Sequence, residues 1–257
     1  MLKSKLKILN KKIKIAALTS SRADYGIYKN LFKLIESNIN FDLTIIAFGM
    51  HLSKKFGETI NEIKIEKFSN LIIINDNSII GDKDYDIALG YSNCLNKFSK
   101  FWNKNKFDYI LTIGDRFEMS AAVQAGIPYN LKFAHIHGGE ITKGSIDDIY
   151  RDQISLVSNL HFTSNEEFSN RLRNLLRNKK NIYTIGSLSL EDLDKIKIPK
   201  WSKVCEKFQI PNKPFILITF HPETINIENN IDYIRILDST LSELCKSIQL
   251  IITSPNA

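Results

Sequence analysis

The sequence predicts a parallel α/β fold, and three features of its 257 residues carry that prediction. Apolar runs of four to eight residues alternate with segments of helical period almost from the start, as strands and helices do in βαβ units. The segments between runs are long enough for the right-handed crossovers that join parallel strands. Charged and histidine side chains gather where the apolar runs end, in Thr-Ile-Gly-Asp-Arg-Phe-Glu at 112–118, Ala-His-Ile-His-Gly-Gly-Glu at 134–140 and Ile-Asp-Asp at 146–148. In an open parallel sheet the carboxyl ends of the strands face a crevice, so groups placed there meet a ligand. The chain therefore reads as an enzyme.

The elements follow in order. Strands are predicted at 13–19, 41–48, 71–74, 109–113, 133–136 and 161–163, with a seventh at 182–185. Helices are predicted at about 25–37, 53–65, 85–104, 116–126, 146–158 and 165–178. Leu31, Leu34 and Ile35, and likewise Ile146, Ile149, Ile154 and Val157, form apolar stripes expected to pack on the sheet. After Gly186 the pattern changes: 188–201 mixes charges with Pro199 and reads as a connection. A strong strand at 215–220, a helix at about 230–245 and a strand at 249–253 follow. One strand, one helix and one strand cannot bury both faces of a sheet. The organisation expected is thus an N-terminal Rossmann-like domain at 1–187, a connection at 188–212 and the start of a second Rossmann-like domain at 213–257, the whole being a fragment.

Composition narrows the function. Hydrophobic residues make up 43% and charged residues 25%, as in globular proteins. The net charge of +7 and pI of about 9.1 come from lysines spread along the chain. No zinc-finger spacing, aromatic RNA-binding signature or arginine cluster accompanies them, so no nucleic-acid partner is expected and a nucleotide or sugar phosphate suits the charge better. Cys94, Cys205 and Cys245 lie far apart in helical segments and read as reduced, buried cysteines of a cytoplasmic protein. The lysines at 3, 5, 7, 11, 12 and 14 resemble the start of a signal peptide, but the apolar stretch after them is too short and broken by Lys14. No run approaches the roughly 20 apolar residues needed to span a bilayer, so no membrane association is expected.

Ser20-Ser21-Arg22-Ala23-Asp24-Tyr25-Gly26 leads from the first strand into the first helix. A helix N-terminus welcomes an anion and Arg22 adds a fork of donors, which makes a phosphate site; the alternative is Asp24 as N-cap with Arg22 on the surface. The segment lacks G-x-G-x-x-G and the Walker lysine, so NAD binding and ATP hydrolysis are poorly supported. Asp115, beside Arg116, is either a helix cap or a carboxylate in the crevice that moves a proton or holds a hydroxyl. His135 and His137, two apart on a strand, are expected on one face, next to Gly138-Gly139, where backbone can approach a ligand. With Glu140 they point to a site. Neighbouring strand residues rarely close a metal shell and no H-E-x-x-H exists, so no metal is expected. His221, in His-Pro-Glu at 221–223, is either a loop histidine or a group facing a cleft from the second unit.

Taken in order, Ser-Arg-Ala-Asp-Tyr-Gly, Gly-Met-His-Leu-Ser at 49–53, Gly-Asp-Arg-Phe-Glu, His-Ile-His-Gly-Gly-Glu, Ile-Asp-Asp, Arg151 and Phe-His-Pro at 220–222 resemble the hydrolysing UDP-N-acetylglucosamine 2-epimerases of sialic and legionaminic acid biosynthesis. The resemblance implies two Rossmann-like domains in a glycosyltransferase-B-like architecture. It implies a reaction in which a base takes the proton on sugar carbon 2, UDP leaves carbon 1 to give a glycal, and water adds to release the free 2-epimer. No cofactor is needed, a cytoplasmic setting is implied, and a homodimer is compatible with it. By the same resemblance Asp115 and Asp147 are the acid and base, in an order left open. His137 and His221 join them, His221 near the phosphates or the leaving oxygen. Arg22 contacts the diphosphate, Asp24 and Arg116 belong to the substrate site, and Glu140 and Arg151 shape the sugar pocket. Three departures stand out: His137 where many relatives have glutamate, Arg151-Asp152 where Arg-His is common, and a chain ending before the loops that hold the uridine. Catalysis by these residues alone is therefore expected to be weak or absent. The rival readings are a two-domain nucleotide-sugar glycosyltransferase and a non-catalytic binding or assembly module.

Overall fold

The computed structural model describes residues 11–177, 180–191, 193 and 197–254; the lysines at 3, 5 and 7 and Pro255-Asn256 lie outside them. The described residues fall into two compact units, one within 11–142 and 147–191, the other within 143–146 and 193–254.

The first unit is built on seven parallel strands: β1 (Ile13–Thr19), β2 (Phe41–Ala47), β3 (Leu71–Ile73), β4 (Tyr109–Ile113), β5 (Phe133–Ile136), β6 (Leu160–Thr163) and β7 (Ile182–Thr184). Their order across the sheet is β3-β2-β1-β4-β5-β6-β7. Among the described residues six α-helices join them: α1 (Arg22–Ser37), α2 (Ile60–Ile65), α3 (Asp84–Lys104), α4 (Phe117–Gln124), α5 (Asp147–Val157) and α6 (Glu166–Leu176). The order reverses between β1 and β4, which pair through Ile15 with Tyr109 and Ala17 with Leu111. Chains leaving these two strands diverge to opposite faces and open a crevice between them, the place where this architecture binds ligands.

β1 is buried from Ile15 to Thr19, as a central strand covered on both faces must be. Helices cover it with aromatic side chains. Tyr28 stacks on Phe32 at 4.7 Å, and Phe98 lies edge-on to Phe48 at 4.8 Å. Trp102, wholly buried, finds a partner for its indole N–H in the Ala122 carbonyl at 3.0 Å.

Several expectations are corrected. The first helix starts at Arg22, because Ser21 is the N-cap and Asp24 the third helical residue of a capping box. Its buried stripe is Tyr25, Tyr28, Phe32 and Ile35; Leu34 stands about 200° around the helix from Phe32 and is exposed. Ile146 precedes α5 and is exposed, as is Ile149, so the buried face of α5 consists of Arg151, Ile154 and Ser155. The continuous helix at 53–65 is instead two 3₁₀ turns, Gly49–Leu52 and Lys54–Phe56, then α2, with Gly57 in the left-handed region at φ +85° between them. Cys94 and Cys205 are buried, but Cys245 is exposed.

The second unit holds α7 (Trp201–Phe208), β8 (Phe215–Thr219), α8 (Asn229–Leu244) and β9 (Gln249–Thr253). β8 and β9 pair in parallel, Phe215 opposite Gln249. α7 lies within what reads from sequence as a connection; its Trp201 stacks on Phe215 at 4.9 Å. The 143–146 segment ties to this unit through Thr224 N–H to the Gly144 carbonyl at 3.0 Å and Ile146 N–H to the Thr224 hydroxyl at 3.1 Å. No described helix is long and apolar enough to cross a membrane.

Candidate active site

Five segments at the carboxyl ends of β1, β4, β5 and β6 and the start of α5 carry the polar side chains of the first unit. After β1, the Asp24 carboxylate accepts from Ser20 N–H and the Ser20 hydroxyl, both at 2.9 Å, and from Ser21 N–H at 3.0 Å. Asp24 is thus committed to shaping the turn and capping α1, while Arg22 lies exposed in the first turn of that helix.

After β4, Gly114 turns the chain at φ +69° and Asp115 follows. The Asp115 carboxylate is ion-paired with the Arg151 guanidinium. Burial raises its proton affinity above the usual carboxylate range, against the pull of Arg151; the negative charges of Asp147 and Asp24 add to the rise. Arg116 is held protonated despite burial by Glu118 and Asp24. Glu118 is completely buried, with one oxygen 3.3 Å from Arg116 Nη2 and the other without a partner, and burial pushes its carboxyl up.

Arg151, on the buried face of α5, organises the centre. Besides Asp115 it reaches Asp148 at 2.5 Å, the Glu140 carbonyl at 2.7 Å and the Thr142 hydroxyl at 3.3 Å; its Nε is buried without a partner. Asp148 in turn accepts Thr142 N–H at 2.9 Å, which ties the 138–142 loop to the first turn of α5. A guanidinium fork suits this task because it fixes several acceptors in one plane.

After β5 the two histidines part. His135 is wholly buried, its Nε2 2.8 Å from the Gly114 carbonyl and its Nδ1 2.9 Å from the Ser155 hydroxyl. Burial lowers it to about 3, so it is a neutral structural link between β4, β5 and α5. β5 ends at Ile136, and His137 adopts φ +63°, outside the strand, so the expectation that both rings share a strand face is corrected. His137 Nδ1 lies 2.6 Å from Glu140 Oε1, and the same oxygen accepts the Ser164 hydroxyl at 2.7 Å. Burial would raise the Glu140 carboxyl, but these two bonds hold it below the usual range, and the charge of Arg151 adds to them.

The glycines between are packed closely against the protein. A Cβ on Gly138 would come within 2.9 Å of His135 Nδ1 and 3.0 Å of the Ser155 hydroxyl. One on Gly139, at φ +81°, would meet the Phe168 carbonyl of α6 at 2.5 Å. Among the described residues no three His, Cys, Asp or Glu side chains converge as metal ligands. His221 belongs to the second unit, exposed after β8 in a loop clamped by Asn230, which accepts Glu223 N–H and donates to the Glu223 carbonyl, both at 2.9 Å.

The structure thus joins Asp115, Glu140, His137 and Arg151 by direct hydrogen bonds and couples Asp24, Arg116 and Asp147 to them through charge. It adds Glu118, Asp148, Ser155 and Ser164, which the motif reading did not single out. Glu118 and Asp148 were visible inside quoted motifs; Ser155, one turn beyond Arg151 on α5, could be found from helical spacing; nothing local marks Ser164.

Comparison with known proteins decides the family. A sequence profile described as UDP-N-acetylglucosamine 2-epimerase matches residues 33–257. The chain belongs to the UDP-N-acetylglucosamine 2-epimerase family. It is 32% identical over 244 residues to the polysialic acid biosynthesis protein P7 of Escherichia coli, covering 95% of this chain and 62% of that one. It is 33% identical over 251 residues to the hydrolyzing GDP/UDP-N,N'-diacetylbacillosamine 2-epimerase of Campylobacter jejuni, covering 96% and 64%. The chain thus spans a little under two thirds of the length of these epimerase-family relatives. Its fold is similar to the UDP-GlcNAc 2-epimerase of Neisseria meningitidis bound to UDP-GlcNAc, with a TM-score of 0.75 at 19% identity, covering 95% of this chain and 66% of that one. It is also similar to the Methanocaldococcus jannaschii enzyme in complex with UDP-GlcNAc and UDP, at 0.74 and 17%, with the same coverage.

Proposed function

We propose that the protein is a hydrolysing 2-epimerase that converts a UDP-N-acetylhexosamine, UDP-N-acetylglucosamine or a diacetamido relative, into UDP and the free 2-epimeric sugar. The observation that carries this reading is Asp115. It is a carboxyl of raised proton affinity, at the switch point of a parallel sheet, oriented by a buried arginine and bordered by a second carboxylate, Asp147. The proton on sugar carbon 2 is weakly acidic, so its removal needs a carboxyl that is close, oriented and partly desolvated. Burial and the neighbouring negative charge of Asp147 raise the proton affinity of Asp115, which suits it to take up a proton.

In this proposal Asp115 and Asp147 carry the acid and base steps. Departure of UDP from carbon 1 leaves the glycal, and water adds across its double bond to give the free sugar. Arg22, exposed and in the first turn of α1, takes the diphosphate, where the helix N-terminus adds a partial positive charge. Arg116, held charged by Glu118, contributes a second cation near Asp115. His137 and Glu140 face the sugar, and His221 acts near the leaving oxygen. A cytoplasmic setting and a possible homodimer belong to the same proposal. So does the boundary of the N-terminal domain near 187, with the second domain beginning at about 213.

Support for the hydrolysing branch comes from the Campylobacter jejuni relative and from a Legionella pneumophila relative, 30% identical and named as a hydrolyzing UDP-N,N'-diacetylbacillosamine 2-epimerase. The test is ³¹P NMR of UDP-N-acetylglucosamine and of UDP-N,N'-diacetylbacillosamine incubated with the chain extended by the part of the Campylobacter jejuni relative beyond the matched region. Free UDP accumulating with an equal amount of free 2-epimeric sugar is expected. A sugar that is epimerised while still attached to UDP would place the protein in the non-hydrolysing branch. UDP released only when an acceptor is added would make it a glycosyltransferase.

A further inference from the structure

His135 and His137 are two residues apart, yet their hydrogen bonds impose opposite proton positions. The Gly114 carbonyl can only accept, so His135 donates from Nε2 and its Nδ1 accepts the Ser155 hydroxyl. For His137 the order reverses. Glu140 is ionised and can only accept, and its Oε1 already takes the Ser164 hydroxyl, so His137 donates from Nδ1. His137 Nε2 is left buried with no protein partner.

The ring is held from both ends. The backbone sits at φ +63°, a conformation that few non-glycine residues adopt, and its N–H is fixed on the Phe162 carbonyl at 2.9 Å. A buried nitrogen without a partner is destabilising. Strain and an unmet hydrogen bond at one residue, beside Asp115 and Arg151, mark a position kept for a ligand.

We propose that Glu140, steadied by Ser164, is the positioning residue of His137: by taking Nδ1–H it presents the Nε2 lone pair to the site, where it accepts a hydrogen bond from a hydroxyl or amide N–H of the bound sugar. Naming that ligand a sugar rests on the function proposed above; the proton arrangement does not. Glu140 thereby acts on the pocket through His137.

The test is ¹⁵N NMR of the chain with labelled histidines, in which each tautomer has distinct ring-nitrogen shifts, and His137→Gln assigns the resonances. His135 is expected as the Nε2–H tautomer and His137 as the Nδ1–H tautomer. Glu140→Gln, which keeps an acceptor oxygen, retains that pattern; Glu140→Ala shifts the majority of His137 to Nε2–H while the His135 signals stay in place and report an intact fold. With UDP-N-acetylglucosamine bound, the His137 Nε2 resonance moves to a hydrogen-bonded value in the unsubstituted chain. An Nε2–H tautomer at His137 before any substitution overturns the proposal even if Glu140→Ala fails to fold. So does an unchanged tautomer in folded Glu140→Ala, or a bound ligand that leaves Nε2 unmoved. Because the tautomer is read without ligand, it is judged apart from the function: an extended protein that shows it but binds no UDP-sugar counts against the proposed function and leaves the histidine–glutamate arrangement standing.

Discussion

Arg151 is the residue on which the site turns, since one guanidinium holds Asp115, Asp148, the Glu140 carbonyl and the Thr142 hydroxyl. Removing it leaves two carboxylates near one another without their cation. Breaking a fully buried pair costs about 3–5 kcal/mol; here roughly a quarter of each carboxylate is exposed, so Arg151→Ala is expected to cost about 2–3 kcal/mol by urea unfolding. Arg151→Lys keeps the charge but not the fork and should recover less than half of that. If Arg151→Ala is as stable as the parent, the ion pairs do not hold the site. Asp115 and Glu140 were legible in the sequence because charged side chains gather where the strands end, whereas Arg151, inside α5, came only from the family resemblance. Ser155 and Ser164 were not, because serine is common and only the tertiary structure brings them to His135 and Glu140.

At the scale of elements, the turn from β1 into α1 is set by the reciprocal bonds of Ser21 and Asp24. Ser21→Ala is expected to cost about 1 kcal/mol and to shift the thermal midpoint down by a few degrees. The loop after β5 is more demanding. Gly139→Ala combines a left-handed φ with a Cβ 2.5 Å from the Phe168 carbonyl, so a loss of about 2 kcal/mol or more is expected in the same assay. A Gly139→Ala protein of parental stability would show that α6 does not press on this loop. Strands were legible nearly to the residue, as at 13–19, 109–113, 133–136 and 249–253, because buried parallel strands are short apolar runs bounded by turn residues. Helical faces were less so: Leu34 and Ile149 fit an apolar period yet are exposed, since the sheet selects one stripe and leaves the neighbours outside. The short α7 was legible only as a helical setting for Cys205, without bounds, because its charges and Pro199 look the same in a connection as in an amphipathic helix.

Across the whole molecule, stability should depend on pH through three buried histidines. Burial lowers His51 to about 4, His135 to about 3 and His161 to about 4. In the unfolded chain each takes up a proton below about 6.5, so between 6.5 and those values the unfolded state binds more protons and stability falls as pH falls. Each contributes up to about 1.4 kcal/mol per pH unit. Asp115 and Glu118, raised in the folded state, act in the opposite sense, but they are two against three. A net loss of at least about 1 kcal/mol from pH 7 to pH 5 is expected, seen as a falling urea midpoint; a flat midpoint would contradict it.

The second unit exposes Phe215, Leu217, Ile231, Ile234, Ile236 and Ile252. Parallel strands are ordinarily covered on both faces, so concentration-dependent self-association is expected in size-exclusion chromatography.

The central claim is proton removal at carbon 2 followed by loss of UDP, and deuterium reads it directly. UDP-N-acetylglucosamine or its diacetamido relative is incubated in deuterated water with the 257-residue chain, and with the chain extended by the part of the Campylobacter jejuni relative that lies beyond the matched region. The extended protein is expected to release UDP and a free 2-epimer carrying deuterium at carbon 2, and the 257-residue chain to do so far more slowly or not at all. Free sugar that keeps its original proton at carbon 2, or a folded extended protein that turns over neither substrate, would contradict the account.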